Sequence, residues 1–425
     1  MIIKKVAVIG LGYIGLPTLV AIAKTKKYEV VGFDIDQKKI NLIKSGKSPI
    51  EDSDVSSYVK NNRLKISSRD NILKDADVFI VCVPTPIFND YNPDYGPVVS
   101  ATKTVAEYLK KGSHFVLEST VNPGTCEEIV LPILESRSGL KAGRDFNIVH
   151  CPERINPGDP KWTIYNINRN VGSIRKTKNK EIATFYRSFV TGAQINEVSC
   201  LKVAEATKIV ENTFRDVNIA FVNELAQSFD SLGIDLYEAL KAASNKPFAF
   251  MAHWPGCGVG GHCIAVDPYY LIKRAGQNGF NHRFLKLARE INDGMPNYCI
   301  SKLIAALNEI NLPVKGTKIG LLGLSYKPNV GDLRESPSLE IEKRLMDLGA
   351  KLIVYDPYVK KGARTLKEAI SGVQAIVIAT AHKQIIENLP SLLKKSKVKV
   401  IVDGRNCLNK EMVEKMSIIY RGIGR

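Results

Sequence analysis

Apolar residues in this chain come first in short runs and later at helical spacing, and the change divides it. Runs at residues 5–9, 29–33, 78–83, 114–118 and 147–150 are separated by helical or polar stretches. Strands alternating with helices at this spacing predict a parallel, doubly wound sheet. From Leu201 to Ser231 there is no Gly or Pro, and Val203, Ala206, Val210, Phe214, Val217, Phe221 and Leu225 recur at helical spacing before a stop at Gly233. That pattern predicts one helix of about thirty residues, roughly 45 Å long at the rise per residue. Beyond Pro313 to Gly316 the strand-first pattern returns, with runs at 318–323, 351–355, 374–379 and 398–402. The expected fold class is α/β, with two doubly wound parallel-sheet domains (1–200 and 313–425) joined by a helical central domain (201–312) that holds the long helix.

The first run leads into Gly10-Leu11-Gly12-Tyr13-Ile14-Gly15, which opens a helix, and the second ends at Asp34, nineteen residues past the last glycine. A lone G-x-G-x-x-G is a weak signal, but between a strand and a helix, with an acid at this distance, it predicts a dinucleotide site. Gly10 permits the tight turn, Gly12 lets the backbone approach a pyrophosphate, and Gly15 lets the helix pack on the strand; Tyr13 and Ile14 belong to the same loop. The helix N-terminus faces the phosphates with its partial positive charge. Asp34 accepts from the ribose hydroxyls and repels a 2′-phosphate, which selects NAD over NADP; Asp36 competes for that role. Thr85, in Val83-Pro-Thr-Pro86, and Thr120, in Glu118-Ser-Thr120, follow strand ends where open α/β sheets bind ligands. Both are candidate cofactor donors, and both are equally well explained as turn residues. The two end domains are read as Rossmann-like, degenerate copies of one architecture.

At 425 residues the chain exceeds a single core, in line with this division. No stretch approaches eighteen apolar residues, so no membrane span is expected. The opening Met-Ile-Ile-Lys-Lys flows into the glycine loop without a cleavage site and reads as a strand rather than a signal peptide, so the expected location is cytoplasmic. Eight cysteines without a Cys-x-x-Cys pair argue against a zinc site or a disulfide framework, and no metal is expected. The formal charge of +17 is unusual, but Lys and Arg are spread along the chain. That distribution favours an anionic small-molecule substrate over nucleic acid.

The candidate chemistry lies in Gly258-Val-Gly-Gly-His-Cys-Ile-Ala-Val-Asp-Pro268. Cys263, followed four residues on by Asp267, can trap an aldehyde as a thiohemiacetal and let a second hydride leave. Paired with a dinucleotide site, this points to a four-electron oxidation of an alcohol to an acid. On the long helix Lys208 and Asn212 are four apart and share a face. Alone, that pair reads as a solvated helix face.

Taken together, these segments resemble the nucleotide-sugar dehydrogenases, the UDP-glucose and GDP-mannose 6-dehydrogenases. The resemblance runs through the glycine loop, Val-Pro-Thr-Pro at 83–86, Glu-Ser-Thr-Val at 118–121, Cys-Pro-Glu-Arg at 151–154, the Lys208 helix, the Gly-Gly-His-Cys loop and Ser-Tyr-Lys-Pro-Asn-Val-Gly-Asp-Leu-Arg-Glu-Ser-Pro at 325–337. It implies that Cys263 is the nucleophile and that Lys208 and Asn212 stabilise the developing oxyanion. It further implies that Asp267 positions a water or polarises the lysine, and that Glu153 and Thr120 order the hydrolytic water. Arg154, Lys327 and the loop glycines Gly256, Gly258 and Gly260 would contact substrate, with His262 lining it, and Arg334 would reach the cofactor. The C-terminal domain would bind the UDP-sugar, and the central helix would build a homodimer.

Pro157 stands where the glucose-oxidising branch has a second glutamate, four residues after Glu153. The Pro-Glu-Arg-x-x-Pro-Gly form is similar to the branch oxidising UDP-N-acetylhexosamines, either UDP-N-acetylglucosamine or UDP-N-acetylmannosamine. Alternatives of other kinds are a UDP-glucose enzyme, a two-electron β-hydroxyacid-type dehydrogenase, which has no use for Cys263, and a non-catalytic sugar-nucleotide sensor. Cys257 is read as a packing residue rather than a disulfide partner of Cys263.

Overall fold

The apolar runs are buried strands of two sheets in a computed structural model that describes residues 3–88, 91–155, 161–261 and 263–425. The first sheet contains β1 (Lys5–Ile9), β2 (Glu29–Phe33), β3 (Lys65–Ser67), β4 (Val78–Val81), β5 (His114–Leu117), β6 (Asn147–His150), β7 (Arg169–Ser173) and β8 (Ile195–Glu197). Their spatial order is β3-β2-β1-β4-β5-β6-β7-β8. Strand order reverses between β1 and β4, which opens a crevice at the carboxyl ends of those strands, the usual ligand position in such sheets. Alternate residues face opposite layers: Val6 and Val8 pack in one apolar cluster, Ala7 and Ile9 in the other.

The second sheet contains β9 (Lys318–Leu322), β10 (Lys351–Tyr355), β11 (Ala375–Ile378), β12 (Val400–Asp403) and β13 (Ile419–Gly422), ordered β10-β9-β11-β12-β13 and parallel throughout. The α/β class with two parallel-sheet domains and a long helix is therefore observed. The chain folds as two compact units, Met1–Glu211 with Tyr269–Gln277, and Asn212–Pro268 with Asn278–Arg425.

Four strands lack an apolar signature in the sequence reading: β3, β7, β8 and β13. The instructive one is β7, Arg-Asn-Val-Gly-Ser, which is buried at every position and pairs antiparallel with β6, Val149 opposite Ser173. Three charged or polar residues and a glycine give no local reason for a strand. Its neighbours supply one.

The long helix runs Leu201–Leu232, 32 residues, close to its predicted length. Its apolar stripe is nevertheless its outer face: Val203, Val210, Phe214 and Phe221 are 42–60% exposed. The buried face carries Ala204, Glu205, Ile209, Asn212, Thr213, Asp216, Ala220, Val222, Asn223 and Ala226. Small residues allow close approach there, and most of the polar ones find hydrogen-bond partners. Among the described residues no helix is long and apolar enough to cross a membrane.

Candidate active site

In the first unit the three glycines of the loop after β1 serve different ends. Gly10 has φ +87°, and a Cβ there would stand 2.8 Å from the Cys82 carbonyl oxygen. A Cβ on Gly15 would meet the Gly10 carbonyl oxygen at 1.8 Å, so the helix Gly15–Lys24 can start only from glycine. At Gly12 nothing lies within 4 Å of the Cβ position, which leaves the backbone open to a phosphate. Tyr13 is about half exposed beside it, and Ile14 is half-buried at the helix entry.

Asp34, immediately after β2, is buried and aimed at this loop: Leu11 N donates to Oδ2 at 2.8 Å and Asp36 N to Oδ1 at 2.9 Å. Lys39 Nζ lies 2.6 Å from Oδ2. Asp36 instead caps the helix Gln37–Lys44 by accepting from Lys38 N and Lys39 N. The competition between the two acids is thus resolved by capping. A cradle open at Gly12, closed at Gly10 and Gly15 and edged by a carboxylate fits a dinucleotide with unmodified ribose.

Thr85 and Thr120 follow β4 and β5. Thr85 is buried and its carbonyl accepts from Tyr270 Oη at 2.6 Å; Thr120 is half-buried. Ser119 Oγ donates to the Val83 carbonyl at 2.7 Å, tying the two turns together. The turn beyond Thr120 is capped by the long helix: Glu205 accepts from Gly124 N at 2.6 Å and Cys126 N at 2.8 Å.

Glu153, just past β6, is buried with both oxygens held. Oε1 accepts from Arg154 N at 2.6 Å and Ile155 N at 2.7 Å, while Oε2 takes Arg169 Nη2. Arg169 also reaches Glu118 at 3.3 Å, and Tyr186 Oη donates to the same Glu118 oxygen at 2.6 Å. Burial pushes the Glu118 carboxyl above its usual range, against the pull of Arg169. Arg154 turns away to pair with Glu211 and donate to the Asn168 carbonyl at 3.0 Å.

In the second unit Asn212 Nδ2 donates to Asp267 Oδ2, both groups buried, and Asp267 N donates to the Cys263 carbonyl at 2.8 Å. Cys263 is exposed. Burial pushes the thiols of Cys82, Cys126 and Cys299 well up, and Cys151 to about 12, which makes them poor nucleophiles. Cys257 is buried with its thiol on the Ala379 carbonyl at 3.3 Å, a packing role.

The glycine loop lies against residues 326–337. A Cβ on Gly260 would stand 2.5 Å from the Glu335 carbonyl oxygen, and one on Gly261 2.5 Å from the Tyr326 ring. Gly258 has φ +126° with Pro337 and the Asn292 carbonyl beside it. Pro296 has no N–H to offer that carbonyl inside the helix Arg283–Asn308, which frees it to face the loop. At the loop's start, Gly256 N donates to Asn223 Oδ1 at 3.0 Å, Asn223 donates to Asn292 at 2.9 Å, and Asn292 donates to Asp216, which is ion-paired with buried Arg289. Lys327 is half-buried on the facing segment. Arg334 is exposed and forked onto Asp332. His262 and Pro157 lie outside the described residues.

Sequence reasoning did not find Glu118, Arg169 and Tyr186, nor Asp216, Asn223, Arg289 and Asn292. For Asp216 and Asn223 the available signal was polarity on a helix whose burial the apolar stripe obscured.

Three family models cover the chain: the NAD binding domain of the UDP-glucose/GDP-mannose dehydrogenase family at residues 4–190, its central domain at 202–294 and its UDP binding domain at 320–410. The chain is 38% identical to the UDP-N-acetyl-D-mannosamine dehydrogenase of Pyrococcus horikoshii over 99% of each chain. The chain belongs to the UDP-glucose/GDP-mannose dehydrogenase family. It is 39% identical to the UDP-N-acetyl-D-glucosamine 6-dehydrogenase of Pseudomonas aeruginosa, over 89% of this chain and 91% of that one. The solved structure of the P. horikoshii enzyme superposes with a TM-score of 0.92, covering 99% of each chain. As a family member with its NAD-binding domain, the protein is an NAD-dependent nucleotide-sugar dehydrogenase.

Proposed function

We propose that this dehydrogenase oxidises the C6 hydroxyl of a UDP-N-acetylhexosamine, UDP-N-acetylglucosamine or UDP-N-acetylmannosamine, to the uronic acid in a four-electron reaction that supplies surface glycan precursors. The carrying observation is the exposed Cys263 on a closely packed glycine loop, with Asp267 bonded to Asn212 behind it. Two NAD molecules, bound in turn, would each supply the hydride acceptor for one of the two oxidation steps. Cys263 adds to the aldehyde as a thiohemiacetal, which becomes a thioester and is hydrolysed.

Lys208 and Asn212 offer a cation and an amide donor where each tetrahedral adduct carries negative charge. Asp267 holds the Asn212 amide and positions a water or polarises Lys208. Glu153 and Thr120 order the hydrolytic water. Gly10, Gly12, Tyr13, Ile14, Gly15, Asp34, Thr85 and Arg334 serve the cofactor; Arg154, Gly256, Gly258, Gly260, His262 and Lys327 serve the sugar nucleotide. The two similar relatives act on the two epimers at nearly equal identity, which supports the N-acetylhexosamine class and leaves the epimer to experiment.

The exposed stripe Val203, Val210, Phe214, Phe221 supports a homodimer through the long helix, in a cytoplasmic protein organised as 1–200, 201–312 and 313–425. The deciding assay follows NADH with UDP-N-acetylglucosamine, UDP-N-acetylmannosamine, UDP-glucose and GDP-mannose side by side. Two NADH per uronate from an N-acetylhexosamine are expected. One NADH per turnover with aldehyde released would sink the reading.

A further inference from the structure

Arg169, Glu118 and Glu153 form a buried charged cluster at the carboxyl ends of β5 and β6, linked to the turn after β4 beside the ligand crevice by Cys82 Sγ on Glu118 at 3.6 Å. Their exposures are 0%, 2% and 6%. The antiparallel turn of β7 brings them together. His150 lies opposite Gly172, and the same register carried three residues further sets Glu153 opposite Arg169. Because β7 runs against β6, its first residue sits beside the carboxyl end of β6. Glu118 directly precedes the Ser119–Thr120 turn.

We propose that Arg169 is a positioning residue for thioester hydrolysis, holding the Glu153 carboxylate from its buried side while Glu118 and Tyr186 hold Arg169. The proposal rests on the reading of Glu153 as the group that orders the hydrolytic water. Two backbone N–H groups grip one Glu153 oxygen and the guanidinium grips the other, so the plane of the carboxylate is fixed. Arg169 is itself fixed by Glu118 at 3.3 Å and by stacking on the Tyr186 ring, 5.3 Å from guanidinium carbon to ring centroid. Tyr186 in turn donates to Glu118. A purely structural ion pair has little reason to be here, since buried pairs contribute weakly to stability and apolar residues would serve as well. Orientation of a carboxylate beside a ligand crevice gives the cluster a use.

In the hydrolytic step water oxygen bonds to the thioester carbon and the carbon–sulfur bond breaks. The products are the carboxylate, the Cys263 thiol and one proton released to solvent; nothing is oxidised or reduced. An ill-held Glu153 slows this step and leaves both oxidations intact.

The experiment uses the full-length enzyme with excess NAD and the sugar nucleotide that the side-by-side assay selects. It reads the first-turnover NADH burst, steady-state kcat, KM for NAD, and the intact mass of the protein. Arg169→Lys is expected to keep the burst and the KM for NAD while kcat falls by roughly ten- to a hundredfold. A covalent sugar-nucleotide adduct on Cys263 should accumulate with it. Glu118→Gln, nearly isosteric, should show the same adduct with a smaller loss, and it decides the matter alone if Arg169→Lys does not fold. Glu153→Gln separates the two layers. No adduct in Glu153→Gln overturns the reading of Glu153. An adduct there, with none in Arg169→Lys or Glu118→Gln, overturns the role of Arg169. Equal loss of burst and kcat in Arg169→Lys also overturns it, because that is what a structural defect produces.

Discussion

At the scale of single residues, the glycine loop separates fold from binding. Gly15→Ala forces a methyl onto the Gly10 carbonyl and should abolish soluble folded protein or NAD binding altogether. Gly12→Ala meets no atom within 4 Å, so its melting temperature should match wild type. On the proposed reading its methyl would meet the pyrophosphate, and its KM for NAD should rise by about tenfold or more, about 1.4 kcal/mol. Thermal melts and NAD titrations of the two variants check this directly. Asn212 offers a second residue-scale test. Asn212→Ala removes a hydrogen bond to the buried Asp267 carboxylate, at a cost of about 1–3 kcal/mol in stability. Loss of the amide from the oxyanion side should lower kcat by about 10²–10³. Asn212→Asp sets two carboxylates face to face and should be worse than Asn212→Ala in urea melts. Gly10 and Gly15 were legible because each answers a close backbone demand, a positive φ and a contact with the Gly10 carbonyl, and Gly12 and Asp34 through their spacing from them. Arg169 was not, since nothing within several residues of it calls for a buried guanidinium.

Among the elements, the long helix shows where periodicity stops informing. Its length follows from the unbroken Leu201–Ser231 stretch, and the observed 32 residues agree. Its orientation does not follow, because the apolar stripe that signals a helix is equally suited to a core or to a partner. Here the inward face is small and polar, satisfied by Arg289, Asn292 and the Gly256 amide, and the outward face keeps Phe214 and Phe221 about half exposed. Phe214→Asp with Phe221→Asp should leave the helix content by circular dichroism unchanged and convert a dimer to a monomer in sedimentation velocity. A wild-type monomer at micromolar concentration would remove the dimer reading. The strand β7 makes the parallel point for sheets: its residues carry no strand signature, yet pairing with β6 and β8 buries all of them.

For the molecule as a whole, the buried histidines predict acid sensitivity. Burial lowers His150 to about 3 and His114 to about 4, from an ordinary value of 6.5. Between these values the unfolded chain binds more protons than the folded one, so stability rises with pH and is lost as pH falls below 6.5. Each histidine contributes up to about 1.4 kcal/mol per pH unit in that window. Scanning calorimetry should show the melting temperature dropping from pH 7 to pH 5, with a shallower drop in His114→Gln. An unchanged slope in that variant would remove His114 from the account. The +17 charge belongs to this scale too, and its even spread predicts no salt-dependent retention of nucleic acid in a gel-shift assay.

By itself the sequence determined what depends on neighbours along the chain: strand and helix periods, the turns that require glycine, and a thiol set in a glycine loop. The tertiary structure decided what depends on pairing across tens or hundreds of residues. It chose the buried face of the long helix, turned the Asp34 carboxylate onto the glycine loop at Leu11, and brought Arg169 opposite Glu153 through an antiparallel strand. Local propensity acts on a few dihedral angles at a time. Register and burial arise from many weak contacts summed over the whole sheet, and no short window of sequence contains them.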